Sequence, residues 1–336
     1  QTDFYIADNI IQGRIQWPTI YTSDGGSRGN DNGLELTGSG HVVAHNEISV
    51  YADAIVNWER GFRSNDFYGN DITWTYDNGI ELDHGSGNIR CIGNRFTNTF
   101  MPLSTQPVIT GPAYILRNVA SNAIDEQIKV HVVATTPNGE PNGIFAFHNS
   151  FVSSRIPFMM QGGGYSHHLR FMNNIFVGPP APFRGYAFNW YGKVTNAVFD
   201  YNGYWPDGTF TLAMSQTALR LAGFQAMGRE VHGQILQGQI FANGMVGNAN
   251  YIPFMSPQDF SLATGSSAID RALPIPGVND DFSGTAPDLG AVEQGCPLPT
   301  YGVRPQGVDE NTPAAACKQQ QQGQPSSVTA SGGTSQ

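Results

Sequence analysis

The chain has 336 residues, 40 of them glycine, and only 13% carry charge. That balance suits short strands and tight turns and excludes a fold built from ion-paired helices. A formal net charge of −10 and a pI near 5.1 exclude nucleic acid as the partner, because that role calls for a basic surface, and they admit an acidic polymer only where a local basic cleft or a bound cation offsets the field.

Residues 1–12 contain Asp8-Asn9-Ile10-Ile11, the first copy of a motif that returns along the chain, and read as an incomplete coil. A start at Gln1 inside a repeat suggests a native chain that extends further N-terminally and has been processed or truncated. Residues 13–31, with Ser23-Asp24-Gly25-Gly26-Ser27, are a polar excursion. From Asn32 the motif becomes regular. His45-Asn46-Glu47-Ile48, Gly69-Asn70-Asp71-Ile72, Gly93-Asn94-Arg95-Phe96 and Arg117-Asn118-Val119 place asparagine at a constant step of 24 residues. Weaker copies follow at Asn149, Asn174 and Asn202. Between them the triplets Leu34-Glu35-Leu36, Ile55-Val56-Asn57 and Ile80-Glu81-Leu82 occupy equivalent places, and Ile80-Glu81-Leu82-Asp83 shows the period-two alternation of a half-buried strand.

A fixed step in the low twenties, with no helical stretch inside it, is the signature of a solenoid. A single coil cannot bury its apolar face alone, whereas coils stacked at about 4.8 Å share a continuous core. The recurring asparagine then forms a ladder, suited to a tight turn by its tolerance of left-handed backbone angles. The prediction is an all-β fold, a right-handed parallel β-helix of about 22–25 residues per coil, spanning residues 1–293.

Further along, residues 135–142 form a loop insertion between strands at 128–133 and 143–147, and residues 156–204 supply two aromatic-rich coils. Residues 215–227 carry apolar residues at helical spacing (Leu219, Leu221, Ala222, Phe224, Met227), which predicts one C-terminal bracing helix with Ser215 as N-cap. Residues 250–293 return to short strands and close the fold. From Gln294 to Gln336 the composition turns to Pro, Gln, Ser, Gly and Ala, which predicts a largely disordered tail. Cys91 lies on a strand as a small buried hydrophobe. Cys296 and Cys317 could be bridged, which would fit an oxidising compartment. No apolar run reaches the roughly 18 residues that suggest a membrane span, so no membrane insertion is expected.

The run Gly79-Ile80-Glu81-Leu82 followed by Gly85, Asn88, Asn94 and Phe96 resembles the bacterial right-handed parallel β-helix repeat proteins of the pectate-lyase-like fold. A second match comes from Ser256-Pro257-Gln258-Asp259-Phe260-Ser261-Leu262, Gly265-Ser266-Ser267-Ala268-Ile269-Asp270 and Pro287-Asp288-Leu289-Gly290-Ala291-Val292-Glu293, similar to the segment with which such proteins close their last coils. The resemblance implies the fold. It leaves function open, since this fold carries lyases, hydrolases, epimerases and adhesins.

Outward side chains of stacked coils line up in rows, and a groove over one sheet suits an extended glycan. Glu35, Val56 and Glu81 are expected in one row, with Thr37, Trp58 and Asp83 two residues on. Lys129 falls near the Glu81 row and His131 near the Asp83 row, with one coil containing Ser104 between. This pairs a candidate base (Lys129 or His131) with acids (Glu81, Asp83) that could also hold Ca²⁺. Arg60 and Arg63 on the next turn, with His84 and Glu35, are candidates for binding an anionic polysaccharide. The expected function is that of a secreted or cell-surface carbohydrate-active protein. It is either a polysaccharide lyase, which needs a base for the proton next to a uronate carboxylate and a cation for the resulting charge, or a non-catalytic glycan-binding, adhesion or structural module.

Overall fold

Each copy of the asparagine motif becomes one turn of chain around a shared core. The computed structural model describes residues 2–15, 17, 31–57, 59–134, 139–250, 254–313, 315 and 317. Most of the polar excursion (16 and 18–30), Trp58, residues 135–138 of the loop insertion and residues 318–336 lie outside the described residues. Eight strands, starting with Tyr5–Ala7, Val42–Ala44 and Asp66–Tyr68, stack in chain order into one parallel sheet. Ile10–Gln12, Glu47–Tyr51, Asp71–Glu81 and Arg95–Ser104 begin a second sheet of twelve strands that runs to Gln234–Ile235. The chain is a parallel β-helix, as the period requires.

Register makes the core continuous. In the first sheet Val43, Phe67, Cys91, Ile115, Ala146, Phe171 and Phe199 pair coil to coil and face inward. In the second, Ile48, Ile72, Phe96, Ala120, Phe151, Phe176 and Tyr204 do the same. At the turn between the two sheets stands the asparagine ladder. The backbone N–H and the Nδ2 of Asn70 both donate to Oδ1 of Asn94 (3.0 and 2.9 Å), and Asn94 donates likewise to Asn118 (3.0 and 3.0 Å). The pattern starts at Asn9, passes through Asn46, Asn149, Asn174 and Asn202, and ends on the buried carboxylate of Glu230. The left-handed angle falls on the residue before each asparagine, at His45, Gly69, Gly93 and Arg117, not on the asparagine itself. The amide is thereby turned inward to reach its neighbours.

Three expectations need correction. The bracing helix spans only Leu221–Ala226, with Arg220 at its N-cap position and no side-chain cap. Ser215 instead lies between the antiparallel strands Thr209–Leu212 and Gln216–Ala218, whose pairing claims the start of the expected helix. Leu221 and Phe224 still bury the helix against the aromatic end of the core, with Phe224 against Phe188 and Phe210. The closing segment is mostly turns, with one β-bridge among the described residues, between Phe241 and Leu262, and it is fixed to the coils by hydrogen bonds to Asn173, Ser150 and His148. Residues 294–313 are not a loose tail. The Arg95 guanidinium lies over the Tyr301 ring at 4.9 Å, Gly302 N donates to the Gly69 carbonyl, and Arg304 forks onto Asp8. Cys296 and Cys317 are joined by a disulfide. Composition hid this strap because two anchors, Tyr301 and Arg304, are enough to hold it.

Candidate active site

The site grows from a motif repeated one face away from the ladder, Asn32-Gly33-Leu34-Glu35 and Asn78-Gly79-Ile80-Glu81. Glycine is needed in the second copy because a Cβ at Gly79 would sit 2.5 Å from the Pro102 carbonyl. Asn32 pairs with Asp53, Glu35 with Val56 and Ile55 with Ile80, while Ser104 pairs with Glu81 on one side and Lys129 on the other. The row Glu35, Val56, Glu81, Ser104, Lys129 is thus the one expected, with Glu81 and Lys129 two coils, or about 10 Å, apart. Register shifts between Thr99 and Met101 against the strand Asp71–Glu81. The extra residue on that strand is a bulge, the usual device for re-aiming a side chain, and it brings Asp77 to the cleft wall.

Four carboxylates and one lysine meet here. Asn78 bridges two of the acids, donating to Asp53 Oδ1 from its backbone N–H (2.7 Å) and from Nδ2 (3.0 Å), and from the same Nδ2 to Glu81 Oε1 (2.8 Å). Asp83 accepts from Ser104 Oγ (2.7 Å) and the Gln106 N–H (2.6 Å). Burial, reinforced by Asp77, pushes the Asp53 carboxyl up to about 7. Burial together with Asp53 and Asp83 pushes Glu81 up to about 9. Asp77 and Asp83 are raised as well, first by burial, with Lys129 pulling both back. For Lys129 burial is the largest influence and favours the neutral amine, but Asp83, Asp77, Glu81 and Asp53 together outweigh it and hold the ammonium above its ordinary range. Among the described residues Lys129 forms no direct ion pair.

Two clefts flank this cluster and share Asp77. The first, about 430 Å³, is lined by Asn32, Asp53, Asn57, Arg60, Asp77, Glu81, Asp83 and His84. The second, about 400 Å³, is lined by Phe100, Met101, Gln106, Asp125, Glu126, Lys129, His131 and Gln161 beside Asp77. In the second, Glu126 holds His131 Nε2 at 2.8 Å, and Asp125 accepts from Gln161 Nε2 at 2.6 Å and lies 3.5 Å from Arg155. The structure therefore gathers Glu81, Asp83, Arg60 and His84 around one cleft and Lys129 and His131 around the other. Glu35 continues the row at its exposed end, bonded to Asn32, and Arg63 is exposed on the turn outside both clefts. Asp53, Asp77 and Asn78 were missed by reasoning from strand triplets alone. Their signal was present, since Asp53 and Asp77 stand one coil apart at the same step as the ladder.

Whether the site fits a cation can be read from its oxygens. Asp77 Oδ1, Asn78 Oδ1 and Asn32 Oδ1 are buried with no hydrogen-bond donor. Such orphaned acceptors beside four crowded carboxylates match the oxygen-only donor set of Ca²⁺. Among the described residues no three His, Cys, Asp or Glu side chains are arranged to chelate a metal by themselves. The fit depends on the Asn amide oxygens as well as the acids.

No protein-family model matches the chain, and no curated protein matches it. Among solved structures it is similar to pectate lyase Pel9A, at 16% identity and a TM-score of 0.30, over 87% of this chain and 80% of that one. No helix among the described residues is long and apolar enough to cross a membrane.

Proposed function

We propose that this protein is an extracellular polysaccharide lyase that cleaves an acidic polysaccharide by β-elimination in the groove formed by the two clefts. The observation that carries the reading is Lys129, an amine set without a direct ion pair beside four carboxylates whose neighbouring oxygens lack donors. Asn32 and Asn78, with oxygens of the adjoining Glu81 and Asp83, would hold Ca²⁺, which would supply a positive centre for a uronate carboxylate. Once the charge of the acids is offset, burial becomes the dominant influence on Lys129 and favours the free amine that a base requires. Lys129 then takes the C5 proton of the uronate. The electron pair forms the C4–C5 double bond, the C4–O4 bond breaks, and the leaving oxygen takes a proton from His131, whose imidazole Glu126 fixes in the second cleft. Arg60 and His84 steer the acidic chain into the first cleft, with Arg63 and Glu35 at its rim. The Cys296–Cys317 bridge supports an oxidising, extracellular setting.

A second reading, a non-catalytic glycan-binding module, draws on the same lysine. While the carboxylates keep their charge the ammonium keeps its proton, and the groove can only bind. The test is a panel of acidic polysaccharides assayed for the ultraviolet absorbance of unsaturated product, with Ca²⁺ and with chelator. Turnover that needs Ca²⁺ and falls at least about a thousandfold in Lys129→Ala, about 4 kcal/mol, supports the lyase. Binding without turnover on every polymer supports the module.

A further inference from the structure

The two clefts differ in a way that bears on substrate, and we infer that the second cleft is a subsite for an uncharged sugar, so that the polymer alternates uronate with a neutral residue instead of repeating uronate alone. The inference rests on the lyase reading for its account of the first cleft. In the first cleft, orphaned oxygens mark where a cation would reverse the negative field, and among the described residues Arg60 forms no ion pair with the acids. The second cleft shares Asp77 and its orphaned oxygen but lacks Asn32. Asp125 is already engaged by Gln161 and Arg155, and Glu126 by His131 and the Gln161 N–H. A uronate carboxylate placed there would face Asp77, Asp125 and Glu126 and would find no uncommitted cation among the lining residues except Lys129, the proposed base. Sugar hydroxyls meet the opposite situation. Carboxylate oxygens accept from them, and Phe100 and Met101 border the cleft beside those acids.

The test uses a matched pair of ligands, a trigalacturonate and the same trisaccharide with its carboxyls reduced to alcohols. Binding is followed by the methyl NMR signal of Met101 in the full chain with Ca²⁺ present. The uncharged trisaccharide should move that signal with an affinity at least about tenfold above that of the uronate form at this cleft. Asp125→Asn should narrow the ratio at least about threefold by admitting the carboxylate. A uronate form that binds the second cleft as well as its reduced partner overturns the inference, as does a ratio that Asp125→Asn leaves unchanged. The measurement needs no turnover, so it stands apart from the lyase assay. If turnover is found, polymers alternating uronate with an uncharged sugar, such as hyaluronan and the rhamnogalacturonan backbone, should be cleaved in preference to polygalacturonate and alginate. The reverse preference would also overturn it.

Discussion

Replacing Glu81 by glutamine should make the protein more stable in alkali while removing a ligand from its site. The new amide keeps an acceptor oxygen for Asn78 Nδ2, which meets Glu81 Oε1 at 2.8 Å, so the substitution changes charge and little else. In the native fold the Glu81 carboxyl rises from 4.5 to about 9. The folded state thus binds this proton more tightly than the unfolded chain does, and the contribution of Glu81 to wild-type stability falls as pH rises between those two values. At about 1.4 kcal/mol per pH unit the displacement corresponds to a ceiling of about 6 kcal/mol. Rearrangement of Lys129 and entry of water lower the realised figure, so a gain of at least ~1 kcal/mol at pH 9 in chelator is the expected result. At pH 4, where Glu81 is protonated in both states, Glu81→Gln and wild type should coincide. Denaturant unfolding at the two pH values measures this directly. Equal destabilisation of the variant at both would show that Glu81 is not held against its neighbours' charge, and the account of the cluster would fail.

The remaining predictions concern the frame around the site. Asn94→Ala should cost about 2–5 kcal/mol in urea unfolding, because it strips the acceptor from the Asn70 N–H and the donor from the Phe67 carbonyl in a fully buried turn. The same change at exposed Asn9 should cost under about 1 kcal/mol, since water replaces the partner. Arg304→Ala should release the strap, read as faster hydrogen exchange at Gly302, whose N–H donates to the Gly69 carbonyl at 2.8 Å. Unchanged exchange there would mean that Tyr301 and the disulfide hold the segment without it.

Much of this architecture was legible in residue spacing. A constant step between asparagines fixes coil length, and alternation within Ile80-Glu81-Leu82 fixes which residues leave the core, so the row from Glu35 to Lys129 follows from arithmetic alone. What spacing could not give was the bulge that re-aims Asp77, because an extra residue in one strand is visible only against its partner. Nor could it give the pairing of His131 with Glu126, five residues back around a bend. The strap was hidden for the opposite reason. Its composition suggests disorder, and a few specific contacts override composition when the chain is already tethered at Cys296.

The ladder also separates length from height. Neighbouring rungs are joined by the same pair of hydrogen bonds whether 24 residues separate them, as between Asn94 and Asn118, or 31, as between Asn118 and Asn149. Surplus chain is therefore pushed sideways, out of the stack, without lifting one coil off the next. The longer of these two turns carries Asp125, Glu126, Lys129 and His131. A protein built this way can lengthen, shorten or exchange the wall of its groove while the core beneath keeps its register, so new specificities can be tried at little risk to folding.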